Sequence, residues 1–292
     1  MVKSATTIDQ QLDLLKSRGL TVSNVDKARE ILLDIGYYRL GFYLFPFEKS
    51  YPALCNRNHE YIEGASFEDA VNLYYFDFDL RLLLMRYLNR IEIAFRTSLI
   101  YNLSNKYNSN PVWFVSPGVV NRSYRAEFEQ KVYTSDFKRN PVIHRHHQNN
   151  PNDRLAPAWK TLEFMTFGAV LKLYEQLKER DDKIFIAHEF GVRQVVTFES
   201  YMHTIRQVRN ACAHGLLLYG LRLPKAIRRG PAVYNPSERN NIIGAIHVVN
   251  YIMRQVSVNR ADDMNRQIMG LYDGLCSASP NLKPLIPDFS TM

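Results

Sequence analysis

At 292 residues, 46% hydrophobic and 12% aromatic, the chain is long enough to bury a sizeable core and too apolar for a disordered polypeptide. Its 37 Lys and Arg against 29 Asp and Glu leave a formal net charge of +8, a balance that suits a polyanionic partner such as nucleic acid. No basic start followed by a long apolar run is present, so neither a secretory signal nor a membrane span is expected, and the cytoplasm is the default location.

In chain order, TIDQQLDLLKSRGL spaces Ile8, Leu12 and Leu15 on one helical face, with Thr7 as N-cap and Gly19 as stop. A second helix is predicted from Asn24 or Asp26 to Gly36. The aromatic stretch at 37–48, YYRLGFYLFPFE, reads as a packed connection or short helix closed by Pro46. From Ser66 to about Tyr101 the period predicts the longest helix, with Leu80, Leu84, Tyr87, Ile91, Phe95 and Ser98 on one stripe. Arg86, Arg90 and Arg96 sit elsewhere around its cylinder. Asp77 with Arg81, and Glu92 with Arg96, are four apart and are expected to pair on the solvated surface.

Residues 105–157 break the pattern and read as a polar, basic surface loop. Its His144, His146 and His147 have no cysteine or carboxylate at a ligand spacing, so no metal or other cofactor is expected. Cys55, Cys212 and Cys276 likewise form no CxxC or Cys/His pattern, which predicts reduced, mostly buried thiols. Helical periodicity returns from Trp159 and runs through KIFIAHEFG into IRQVRNACAHG at 205–215. Further helices are predicted from Ser237, as cap, to Val258 and from Asp262 to Leu275, followed by an extended tail, PNLKPLIPDF. With no strand alternation, repeat or Gly-rich phosphate loop, the chain reads as all-α.

The stretch at 205–215 places two arginines, an asparagine and a histidine in an apolar helix. Residues four apart lie about 40° from one another, so Arg206, Asn210 and His214 form one row that His203 nearly joins. Arg209 lies about 140° round from His214 and would serve a groove between two helices. Spacing alone leaves two readings open, a hydrogen-bonded structural network or a phosphate-handling set. The second suits RNA cleavage without metal: an imidazole moves the proton of a ribose 2′-hydroxyl and a guanidinium holds the phosphate. Because acid and base work needs two groups, a two-fold dimer would complete such a site.

The segment R-N-A-C-A-H at 209–214 matches the R-x4-H pattern of the HEPN superfamily. The wider chain resembles the Abi family of bacterial abortive-infection proteins, its AbiD/AbiF-like group, through QQLDLLKSRGL (10–20), IGYYRLGFYLFPF (35–47), FDFDLRLLLMRYLNRIEIAFRTSL (76–99), APAWKTLEFMTFGAVLKLY (156–174) and RNACAHGLLLY (209–219). The resemblance implies a multi-helix bundle of HEPN type with N-terminal and C-terminal helical additions, dimeric, acting in phage defence or as an RNA-regulated toxin. The chain is then read as a helical region at 1–65, the bundle core at 66–258 with a basic loop insertion near 105–157, and a C-terminal helix with a Pro-rich tail at 259–292. Arg209 and His214 become the catalytic pair, with Asn210 between them. Arg206, His203, Arg90 and Arg96 are expected to hold RNA, and Glu92 to support the motif from the long helix. Gly215, Leu217 and Gly220 depart from the family pattern, which has a second histidine, an arginine and an asparagine there. The expected partners are a cellular or phage RNA, or a regulatory noncoding RNA, and a second copy of the chain. Two alternatives are a non-catalytic module that holds a structured noncoding RNA and a helical scaffold that meets another protein. The YYRLGFYLF block could stack exposed bases or simply pack.

Overall fold

The computed structural model describes residues 4–53 and 55–290. Among them are thirteen α-helices and no strand, only isolated bridges, so the chain is an all-α multi-helix bundle. The N-terminal helices begin as their caps dictate. Thr7 Oγ1 accepts from the Gln10 amide while Gln10 Oε1 accepts from the Thr7 amide, a reciprocal box that starts α1 (Ile8–Ser17). Asn24 caps α2 (Val25–Ile35) through the Lys27 amide at 3.0 Å. Gly36, at φ +86°, ends α2 and starts α3 (Tyr37–Leu44) with a single left-handed residue.

Helix α4 (Phe67–Lys106) is the spine. It is 40 residues long, about 60 Å at 1.5 Å per residue, and Ser66 caps it. Around it follow α5 (Arg122–Lys131), α6 (Ser135–Lys138), α7 (Pro141–Asn149), α8 (Ala158–Phe164), α9 (Phe167–Glu175), α10 (Arg180–Glu189), α11 (Val195–Ala213), α12 (Ile242–Val256) and α13 (Val258–Ala278). Helices α3, α8, α11, α12 and α13 pack directly on α4. Leu80, Leu84, Ile91 and Phe95 have no exposed surface, as their common stripe requires. Phe95 stands at the centre of an aromatic cluster, with Phe167, Tyr174, Phe190 and Phe198 at ring-centroid distances of 5.7–6.2 Å. Among the described residues, no helix is long and apolar enough to cross a membrane.

Several expectations are corrected. The pairs Asp77–Arg81 and Glu92–Arg96 are buried or nearly so, because the stripe they share is covered by neighbouring helices. Residues 105–157 are no plain surface loop: they fold into α5, α6 and α7 and bury Trp113, Phe114, Phe128 and Tyr133. Tyr133 Oη accepts from the Ala156 amide at 2.8 Å, and Trp113 Nε1 donates to Ser104 Oγ at 3.0 Å, tying the segment down. His146 is buried within it, and burial pushes its pKa down. The cap of α12 is Asn241, not Ser237, which lies in a 3-10 turn over Pro236–Glu238. That turn presses the Glu238 carbonyl against Gly244, where a Cβ would come within 2.1 Å, so only glycine fits. The tail folds back instead of extending, with Leu282, Ile286 and Phe289 buried and the Phe289 ring 5.4 Å from that of Phe76. Cys55 is exposed, while Cys212 and Cys276 are half-buried.

Truncating the aromatic hub tests this architecture. Phe95→Ala is expected to lower unfolding free energy by about 3–5 kcal/mol through lost burial and a residual cavity. The measurement is guanidinium denaturation, where the midpoint should fall with the slope unchanged.

Candidate functional site

Helix α11 buries Phe198, Met202, Ile205, Val208 and Ala211 against the bundle, a spacing that turns His203, Arg206, Arg209 and Asn210 away from the core. It ends at Ala213. His214 is therefore the C-cap residue, with φ −96° and its amide donating to the Asn210 carbonyl at 3.0 Å. The row expected from Arg206 to Asn210 to His214 thus leaves the helix at its last member, on a turn that Gly215 makes at φ +63°. Asn210 and His214 are both exposed.

The turn is held from the other side of the bundle. Arg39 of α3 donates to the Gly215 carbonyl at 3.0 Å, and Arg81 of α4 to the Leu216 carbonyl at 3.3 Å. Asp77 Oδ1 accepts from the Leu218 amide at 3.0 Å and the Tyr219 amide at 2.7 Å. The Tyr43 hydroxyl donates to Asp77 Oδ2 at 3.0 Å, and Arg81 pairs with the same oxygen. Burial pushes the Asp77 carboxyl up, against the pull of the Tyr219 amide and of the Arg81 charge. Burial likewise raises the Tyr43 and Tyr219 hydroxyls, which stay protonated and can donate.

Arg209 sits on the α4-facing flank of α11. Its side chain is 38% exposed, and its Nε lies 3.7 Å from Glu92 Oε2. Glu92 is in turn held by Arg96, whose Nη2 donates to Glu92 Oε1 at 2.9 Å and to the Met165 carbonyl at 3.1 Å. Arg96 is buried, so it braces Glu92 between α4 and the α8–α9 junction and is not open to a strand of RNA. Arg90 is exposed but stands two residues before Glu92, about 200° round α4, and so points away from α11. His203 pairs through Nε2 with Glu175 of α9. Burial pushes the Glu175 carboxyl up, but the bond from His203 together with the charges of His203, Lys172 and Arg206 outweighs it and leaves the group below its ordinary value. Arg206 reaches over Gly168, its Nη1 3.6 Å from where a Cβ would stand.

The aromatic block at 37–45 divides. Leu40, Tyr43 and Leu44 are buried, while Tyr38 and Phe42 are 83% and 47% exposed and meet edge to face at 5.6 Å. Spacing missed Arg39 and the part Asp77 plays. A signal for Asp77 was present: it falls three residues before Leu80 on the apolar stripe, and a carboxylate there needs partners. Arg39 carried no signal, because its bond to Gly215 spans 176 residues of chain. Among the described residues, no group of three or more His, Cys, Asp or Glu could hold a metal ion.

The molecule is thus an all-α bundle that presents an Arg-Asn-His set at the end of one helix and fixes the following turn through a buried carboxylate. A family model, Abi-like protein, matches residues 30–220, well over half of the chain, and the chain belongs to that Abi-like protein family. The match takes in α3, α4 and α11 with its turn, and so every member of the Asp77 cluster. Neither a curated protein nor a solved structure matches the chain.

Asp77→Ala should lower stability by about 3–5 kcal/mol in chemical denaturation, since it leaves Arg81 buried without its counter-charge. Thiol labelling offers an independent check. Burial pushes the Cys212 thiol up to about 12, so iodoacetamide at pH 8 should alkylate exposed Cys55 and spare Cys212 until the protein unfolds, as peptide mass mapping would show.

Proposed function

We propose that the chain is an endoribonuclease of phage defence in which Arg209, Asn210 and His214 act on RNA without a metal ion. One observation carries the reading: the motif side chains face solvent, while the groups that fix them are buried. Asn210 and His214 are exposed and Arg209 is more than a third open, whereas Asp77, Arg81 and Arg96 are buried and Glu92 nearly so. A structural ladder would have the opposite distribution, with the motif groups satisfied inside the bundle.

The His214 imidazole takes the proton of a ribose 2′-hydroxyl. The 2′-oxygen then attacks the adjacent phosphorus, the bond to the 5′-oxygen breaks, and that oxygen takes up a proton. The products are a 2′,3′-cyclic phosphate and a 5′-hydroxyl. Arg209, steadied by Glu92, offers its donors to the phosphate oxygens as charge builds, and Asn210 orients a phosphate oxygen or the imidazole.

One chain supplies one such histidine to a reaction with two proton transfers, and a second copy supplies the other. An apolar face next to the turn supports this arrangement. Tyr38, Phe42, Tyr75, Phe78, Leu82 and Leu216 are all exposed, and Arg39 and Arg81 tie that face to the turn at Gly215 and Leu216. The homodimer closes across it and brings the two His214 turns together.

Purified protein should cleave total RNA in EDTA and leave cyclic phosphate ends. His214→Ala should lose about 100-fold or more of that rate with an unchanged melting temperature; cleavage at the parental rate would sink the assignment. If neither protein cleaves while both bind RNA, the chain is a non-catalytic RNA-binding module. Phe78→Asp should convert a dimer to a monomer in sedimentation velocity and reduce cleavage with it, and a parent that already sediments as a monomer at micromolar concentration defeats the dimer.

A further inference from the structure

Two open cavities, of about 550 and 540 Å³, lie end to end along α11 and share Val196 and Glu199 as lining residues. The first is bounded by Arg206, Lys225 and Arg228, with Ser200 and Thr204 between them. Lys178, Arg180, Lys183 and Arg193 line the second. Glu199 is the one carboxylate in either wall, and Lys183 Nζ stands 3.5 Å from it. Nearby Glu175 is engaged by His203. Among the described residues, the side chains of Arg180, Arg193, Arg206, Lys225 and Arg228 make no close ion pair, which leaves the row with net positive charge.

That row lies along the helix that carries the motif. On α11, Val196, His203, Gln207 and Asn210 fall within about 60° of one another, and His214 follows as the C-cap residue where that line ends. From Val196 to His214 the helical rise covers about 27 Å. The walls contain no Phe, Tyr or Trp, so they offer charge and hydroxyls without a platform for a base. Such a surface recognises a repeating phosphate and not a nucleobase. A free nucleotide would leave its base unrecognised here and would meet one cavity only.

We infer that this flank of α11 is a continuous track for the sugar–phosphate backbone of single-stranded RNA, which it feeds past Arg228 and Arg206 toward His214. The inference rests on the nuclease reading and names how that site holds its substrate: a strand several nucleotides long, gripped on one side of the scissile bond and without sequence preference. Arg193 and Arg180 hold the remote end, Lys225 and Arg228 the near one.

Binding can be read without turnover. Full-length protein carrying His214→Ala is titrated with a fluorescein-labelled 12-nucleotide RNA and followed by anisotropy. Adding Lys225→Gln with Arg228→Gln, or Arg180→Gln with Arg193→Gln, should weaken binding about tenfold and flatten the log–log salt slope by about 0.7 per cation removed. Lys16→Gln with Lys27→Gln, on α1 and α2, removes the same charge elsewhere and should change affinity less than twofold. Equal losses from that control pair would overturn the track, as would saturable micromolar binding of uridine monophosphate that displaces the 12-mer. In protein with His214 intact, Lys225→Gln with Arg228→Gln should raise KM about tenfold for the 12-mer at unchanged kcat, and barely alter KM for a dinucleotide. Cleavage that depends on His214 yet ignores all four track substitutions defeats the track and leaves the nuclease standing. Binding that depends on the track in a protein that never cleaves keeps the track and removes the nuclease.

Discussion

Asp77 has no exposed surface, and its two oxygens accept from the Leu218 and Tyr219 amides, the Tyr43 hydroxyl and Arg81. An ionised group so deep in a protein is tolerated only when it is paired and fully hydrogen-bonded. Here the donors come from three parts of the chain, α3, α4 and the turn after α11, and all of them must arrive together. Two of the donors are backbone amides, which cannot change rotamer, so the segment after α11 has one place to lie. His214 and Gly215 begin that segment. The position of an exposed imidazole is thereby set by a carboxylate more than a hundred residues earlier in sequence.

The same helix holds the other half of the constellation. Glu92, farther along α4, steadies Arg209, and Arg96 steadies Glu92 from beneath. Buried polar groups do the positioning while exposed ones stay free for chemistry, and α11 separates the surroundings into two kinds. Toward α3 and the start of α4 lies an apolar face of Tyr38, Phe42 and Phe78. Toward residues 223–228 and the start of α11 lies the basic flank of Arg206, Lys225, Arg228 and Arg193. A protein surface suits another protein where it is apolar and a phosphate chain where it is cationic.

Much of the fold could be read from local chemistry. Thr7, Asn24 and Ser66 each cap a helix as their side chains allow, and the stripe through Leu84 and Phe95 foretold what the spine would bury. What local chemistry could not supply was depth and distance. Asp77 with Arg81 looks like any exposed pair four apart until α3 and the turn after α11 cover it. Arg96 looks like a free cation until the Met165 carbonyl caps it. The segment at 105–157 is polar enough to suggest a loop, yet Trp113, Phe128 and Tyr133 are spaced too irregularly to announce the small core that they form. Spacing alone puts His214 on the helix. Gly215 stops the helix one residue sooner and turns the ring onto a corner.

Because α4 runs antiparallel to α11, its polar groups meet that helix and its turn in reverse order: Asp77 at 218 and 219, Arg81 at 216, Glu92 at 209. A single residue gained or lost between Asp77 and Glu92 would rotate one end of the spine by about 100° relative to the other. The turn and the guanidinium could then no longer be gripped at once. The interval from 77 to 92 therefore behaves as a ruler, whose length in residues counts for more than the side chains between its two marks.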